Sequence, residues 1–339
     1  MKVGTGITSA NLKEIPEEAR RSDDLGYDYI STGETNHNGF YPLLIAAEHS
    51  SKVNLATSIT IVFPRSPMIV AQEAWDIQKF SDGRFQLGMG SQVKGHIMRR
   101  LSTSWVPPVP RMREYILSLR AIWDCWQNGT KLDFHGDHYS FSLMTPFFNP
   151  GPIDNPKIPI FVSAMNPYMC RLAGELCDGI FIHGFTTKKY TEEVIMPNII
   201  RGAAKTGRSV DDMEISGGGF ICTGADEEQV ARSMERTRNQ IAFYASTRTY
   251  KAVLDVHGWG DVCLKLNRMA AEGQWQEMGA EITDDILDAF AVIGTHDDII
   301  AKIKERYAGI ANRIGFSIPT KTPQDSEKLK SMIASLKEG

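Results

Sequence analysis

The chain holds few cysteines: five in 339 residues, at 125, 170, 177, 222 and 263, with no C-x-x-C pair and no histidines nearby at zinc spacing. That argues against a disulfide framework, a thioredoxin-type site and a zinc ribbon, and makes the five reduced core residues of a cytoplasmic protein. No apolar run approaches about 18 residues, and Met1–Gly4 enters a strand pattern without the charged and apolar regions of a signal peptide, so membrane and secretion are not expected. Charge of one sign is lacking too. With 37 Lys and Arg against 41 Asp and Glu, the net charge of -4 leaves no basic footprint for nucleic acid. Internal repeats and low-complexity segments are absent.

What is present is alternation. Lys2–Ile7, Tyr27–Ser31, Asn54–Ile61, Arg84–Met89, Ile160–Ser163, Gly179–His183, Met213–Cys222 and Arg313–Ile318 read as eight strands. Nearly all are separated by amphipathic stretches: Asn11–Leu25 closed by Gly26, Tyr41–Ser50, a helix opening after Pro67 with Trp75, Ile77 and Phe80 at core spacing, Arg111–Asn128, Pro167–Leu176, Lys188–Thr206, Asp226–Ala245 and Asp297–Tyr307. Eight β units without a linker or charge shift predict an α/β chain folded as one (β/α)8 TIM barrel over residues 1–339. A doubly wound sheet would need a glycine fingerprint after its first strand, where Thr8-Ser9-Ala10-Asn11 stands instead. Two stretches break the rhythm and read as insertions at or near the barrel mouth, 93–109 and 246–284. A small hairpin is expected about His135-Gly136-Asp137.

Candidate site residues follow from the barrel rule that ligands sit at the C-terminal ends of the strands. Gly88-Met89-Gly90-Ser91-Gln92 ends one buried strand, with glycines that let a ligand approach the backbone and a hydroxyl and amides suited to phosphate. Ser58-Ile59 ends another. The polar loop Thr32–Asn38 offers Glu34 and His37 as proton-handling groups. Lys94, His96, Arg99 and Arg100 form a basic run just beyond the glycine loop. His183, Tyr250, His257 and Trp259 are candidates for a substrate pocket. The acidic pairs Asp284-Asp285 and Asp297-Asp298 read as helix N-terminal charges, so no metal site is expected.

The segments Leu55-Ala56-Thr57-Ser58-Ile59-Thr60, Ser66-Pro67 through Ala71-Gln72, Ser81-Asp82-Gly83-Arg84-Phe85-Gln86-Leu87-Gly88-Met89-Gly90 and Phe161-Val162-Ser163-Ala164-Met165-Asn166 resemble the bacterial luciferase-like superfamily. More narrowly they resemble its coenzyme F420-dependent branch. The resemblance implies a non-prolyl cis bond at Ser58-Ile59 backing the cofactor ring, and a cofactor phosphate near Gly90, Ser91 and Gln92 and the amides of Ala164, Met165 and Asn166. It also implies a homodimer acting on a small organic substrate. The basic run suits the oligoglutamate tail of F420, which FMN lacks. Relatives place an acid followed by histidine in the loop after strand two, where this chain has Glu34-Thr35. The alternatives are an FMN-dependent monooxygenase and a non-catalytic flavin-binding barrel.

Overall fold

The computed structural model describes residues 1–7 and 10–338; Thr8 and Ser9, the start of the turn without a glycine fingerprint, lie outside the described residues. By internal contacts the chain forms two compact units, one of residues 4–181 and 198–214, the other of residues 1–3, 182–197 and 215–339. The strand and helix alternation through both is that of the (β/α)8 barrel, in the α/β class that the sequence predicts.

Strand β1 (Lys2–Gly6), which enters the first unit at Gly4, is followed by α1 (Ile15–Leu25), which ends at Gly26 in the left-handed region, φ 82°. Gly26 was expected to close that helix, because a residue without Cβ turns the chain there at no steric cost. Next come β2 (Tyr29–Thr32), α2 (Phe40–His49), β3 (Asn54–Thr57) and β4 (Thr60–Ile61). Sequence alternation made Asn54–Ile61 one strand; it is two, separated by Ser58-Ile59, whose peptide bond is cis. Helix α3 (Pro67–Phe80) starts on Ser66, whose side chain accepts from Met68 N–H, with Pro67 in the first turn. Its Trp75 and Ile77 are buried as expected, whereas Phe80 is 52% exposed and faces outward. Trp75 packs edge-on against Trp126 with ring centroids 5.7 Å apart, so α3 and the helix that carries Trp126 share a core seam.

Every residue of β5 (Phe85–Gly90) is buried. The stretch 93–109 holds a short helix, α4 (Lys94–Arg99), and α5 (Pro108–Asn128) begins earlier than its sequence pattern suggests. The expected hairpin pairs Phe134–His135 with Ser140–Phe141. Strand Ile160–Ala164, α6 (Pro167–Leu176) and strand Gly179–Ile182 complete the alternation in this unit.

At the N-terminal ends of these strands two side chains tie the floor. The Arg84 guanidinium donates to the carbonyls of Ala47, Ser50, Val53 and Ser81 at 2.8–3.0 Å. Asp23 accepts from the amides of Ser51, Lys52 and Val53.

The expected strand Met213–Cys222 is broken by Gly217-Gly218-Gly219 into Glu214–Ser216 and Phe220–Gly224, the latter in the second unit. The second piece pairs in parallel along its whole length with Ala291–Thr295, a strand that sequence alternation missed. The stretch 246–284 is mostly helical, with Lys251–Asp255 and Gly260–Ala271. Among the described residues no helix is long and apolar enough to cross a membrane.

Candidate functional site

Strand register brings the first unit's candidate residues to one edge. Thr32 lies opposite Thr57, Ile61 opposite Gly90, and Met89 opposite Val162, two residues before Ala164. All these strands run parallel, so their C-terminal ends present Glu34, Ser58, Ile59, Gly90, Ser91 and Ala164 along one rim.

The glycines at this rim differ in what they do. A Cβ on Gly88 would come within 1.9 Å of the Thr57 carbonyl oxygen and 2.6 Å of the Phe181 ring, so packing inside the sheet accounts for that glycine. Its amide donates to Thr57 Oγ1 at 2.8 Å, and the same hydroxyl donates to its carbonyl at 2.8 Å. Gly90 is shaped by Ile59: a Cβ there would come within 2.5 Å of Ile59 Cδ1. The chain just past β3 and the end of β5 therefore touch. Beyond Gly90 the half-exposed Ser91 and Gln92 leave the sheet, with Gln92 at φ 57° and its Oε1 accepting from Val93 N–H at 2.8 Å.

The loop after β2 is held from three sides. Thr32 Oγ1 donates to Gly39 O at 2.6 Å, Asn38 Oδ1 accepts from Phe40 N–H at 2.8 Å, and Arg100 donates to Thr35 O at 2.7 Å. Glu34 is not a free acid. Its carboxylate takes the Arg65 guanidinium on both oxygens, at 2.5 Å and 2.9 Å, and accepts the Ile61 amide at 2.7 Å. Arg65 also donates to Ile61 O at 2.9 Å. Sequence reasoning missed Arg65, because nothing local marks a partner 31 residues away. His37 is exposed on the same loop and makes no hydrogen bond or ion pair among the described residues.

Next to Ser91 and Gln92, α4 carries Lys94, His96 and Arg99, all without an ion-pair partner among the described residues. Arg100, the fourth member of that run, is committed to the Thr35 carbonyl. Asn166 caps α6, its Oδ1 accepting from Met169 N–H at 2.9 Å with Pro167 in the first turn. Ala164 is buried in its strand, Met165 half-buried and Asn166 exposed.

The remaining candidates belong to the second unit. His183 stacks on Tyr250 with centroids 5.2 Å apart and meets Tyr244 edge-on at 4.8 Å. Phe185 N–H donates to His183 Nδ1 at 3.0 Å, which puts the proton of the neutral ring on Nε2. Burial pushes the His183 imidazole below its ordinary pKa, favouring that neutral form. His257 stacks on Trp259 at 4.4 Å and shares a 2.9 Å hydrogen bond with Thr187 Oγ1. No group of three or more His, Cys, Asp or Glu among the described residues is placed to hold a metal.

A parallel α/β barrel with glycines and polar residues at one rim of strand ends defines the class of the fold, a (β/α)8 barrel. Within it, the chain belongs to the luciferase-like monooxygenase family, whose profile matches residues 1–313. It is 42% identical over 307 residues to an uncharacterised protein of Mycobacterium tuberculosis, covering 88% of this chain and 90% of that one. It is 28% identical over 299 residues to a 5,10-methylenetetrahydromethanopterin reductase of Archaeoglobus fulgidus, covering 86% and 85%. The structure of the coenzyme F420-dependent tetrahydromethanopterin reductase from Methanopyrus kandleri superposes with a TM-score of 0.78 at 20% identity, over 99% of this chain and 97% of that one. That likeness shows the fold.

Proposed function

We propose that this chain is a coenzyme F420-dependent oxidoreductase that moves hydride between the deazaflavin and a small organic substrate. The observation that carries the choice of cofactor is the pair Lys94 and Arg99, cations without an ion-pair partner among the described residues, standing with His96 beside Ser91 and Gln92 in a chain that is net acidic. Such a cluster attracts a polyanionic tail. The relative from Archaeoglobus fulgidus supports the reading, since its name is that of a reductase of a small organic compound, 5,10-methylenetetrahydromethanopterin.

The donor set fits the cofactor. Ser91 and Gln92 would receive its phosphate, with the α6 N-terminus at Asn166 next along the rim. Ile59, seated on Gly90, would back the ring. When bound, the deazaflavin supplies a ring carbon that gives or accepts hydride. The chain then orients the ring, keeps water from it and handles a proton, for which the loop after β2 offers Glu34 and His37. The stretch 93–109 would help select the substrate, as loops at a barrel mouth do.

Equilibrium titration with F420 and with FMN tests this. F420 should bind more tightly, and its affinity should fall with added salt. FMN binding in the micromolar range with no detectable F420 binding overturns the proposal. The family's description as monooxygenases favours a second reading, an FMN-dependent oxygenation. Oxygen consumption that requires reduced FMN and a substrate would select it.

A further inference from the structure

The rim carries an ion pair whose geometry is that of a bracket. Glu34 stands two residues past β2, and Arg65 four residues past the end of β4. Between them the Ile61 peptide groups are taken at both ends, the amide by Glu34 Oε2 at 2.7 Å and the carbonyl by Arg65 Nη1 at 2.9 Å. The guanidinium also meets both Glu34 oxygens, so four contacts close a ring through two side chains and one backbone residue. Both side chains are largely buried, at 11% exposure for Glu34 and 22% for Arg65. A forked guanidinium on a carboxylate is the geometry in which Arg outperforms Lys, because both N–H groups are aligned before the contact forms.

The backbone side of Arg65 is fixed as well. Tyr115 Oη donates to its carbonyl at 3.3 Å, and two residues earlier Arg111 donates to Phe63 O at 2.9 Å while lying over the Phe63 ring. A second carboxyl stands within the reach of the Arg65 charge. Glu73 on α3 is half-buried, and its Oε2 has no hydrogen-bond partner among the described residues. Arg65 thus faces two carboxylates and commits its fork to one.

We propose that Arg65 is a positioning residue: it holds the Glu34 carboxyl against the Ile61 amide, so that Glu34 sets the backbone beside the ring site and is not the proton donor. This rests on the proposed cofactor site, since it is the cofactor's bed that the bracket would fix. The two Glu34 oxygens already accept three N–H groups, so most of their acceptor positions are committed to the bracket.

The test uses the full chain with Arg65→Lys, Arg65→Ala, Glu34→Gln and the double variant Arg65→Ala/Glu34→Gln, each first confirmed folded by circular dichroism and thermal melting. Two readouts are taken. Hydrogen exchange at the Ile61 amide, measured without cofactor, reports the bracket itself: its protection should drop about tenfold or more in Glu34→Gln and Arg65→Ala. Deazaflavin affinity and the induced circular dichroism of the bound ring report the consequence. Both single variants should weaken binding about tenfold, Arg65→Lys should recover only part of it, and the double variant should be no worse than either single because the pair acts as a unit. Millimolar guanidinium should restore affinity in Arg65→Ala where ammonium does not. Unchanged Ile61 exchange, or variant affinities within twofold of wild type, overturns the positioning role and leaves the cofactor assignment standing. A wild-type chain with protected Ile61 that binds no deazaflavin overturns the proposed function, and the positioning role with it.

Discussion

Replacing Thr57 by Val should cost more stability than its chemistry suggests. The ladder between β3 and β5 pairs Leu55 with Phe85 and Ala56 with Gln86, lapses, and resumes as β4 pairs Thr60 with Met89. Across the lapse the Thr57 hydroxyl accepts from the Gly88 amide and donates to the Gly88 carbonyl, both at 2.8 Å. One side chain therefore does the work of two ladder bonds. Thr57 is fully buried, and so is Gly88, so no water replaces the hydroxyl. Valine keeps the shape and leaves both backbone groups unpaired, at about 1–3 kcal/mol each. Relief from burying the hydroxyl offsets part of this, so Thr57→Val should be destabilised by about 2–4 kcal/mol. With an unfolding entropy near 0.7 kcal/mol/K for a chain of 339 residues, Tm should fall by about 3–6 °C. Thr57→Ser retains the hydroxyl, loses one methyl and should cost about 1 kcal/mol. Urea denaturation of the three proteins decides it. If Thr57→Val matches wild type while Thr57→Ser is the weaker protein, the hydroxyl is not bridging the ladder.

Three other outcomes are expected. Changing Lys94 and Arg99 to Ala together should weaken F420 binding by about fivefold, consistent with about 1 kcal/mol for two exposed charges, flatten its salt dependence and leave FMN binding alone; an equal loss for both ligands would contradict the tail assignment. All five cysteines are buried, and burial pushes the Cys170 and Cys177 thiols up to about 12, so a disulfide reagent at pH 8 should find no fast-reacting thiol in the native protein and five after unfolding. Burial of Asp23 opposes its ionisation, but the amides of Ser51, Val53 and Lys52 outweigh this and leave its pKa below the ordinary 3.8. Its contribution is therefore complete above about pH 4 and lost as pH falls through the lowered folded value, so wild type should lose stability there faster than Asp23→Asn, as acid titration of the unfolding midpoint would show.

The parts of this chain that could be read in advance are those whose cause is local. Gly26 follows an amphipathic stretch, Pro67 follows Ser66, and Pro167 follows Asn166; each pair carries its own stop or start signal, and each helix lies where the signal puts it. The misreadings have non-local causes. Asn54–Ile61 looks continuous because its apolar residues are, yet it divides where Thr57 turns to Gly88, 31 residues on. Ala291–Thr295 follows without a break on a helix that ends at Phe290, and becomes a strand by pairing with Phe220–Gly224. Among the candidate site residues, Glu34 was legible as a polar residue in the loop after β2. Its partner Arg65 was not, because only the fold brings the end of β2 against the turn after β4. Gly88 was legible as a glycine at a strand end, but its reason is the Thr57 carbonyl inside the sheet.

The side chains that tie the strand floor, Arg84 and Asp23, draw their partners from the ends opposite the rim. The two edges of this sheet can therefore diverge on separate schedules. A duplicated copy could exchange the whole stretch 93–107, or the loop bearing His37, and acquire a new specificity while its foundations went on folding as before. For the same reason, a laboratory library confined to those rim segments should return mostly folded proteins, and the same number of changes spread over residues 47–53 and 81–84 mostly aggregates.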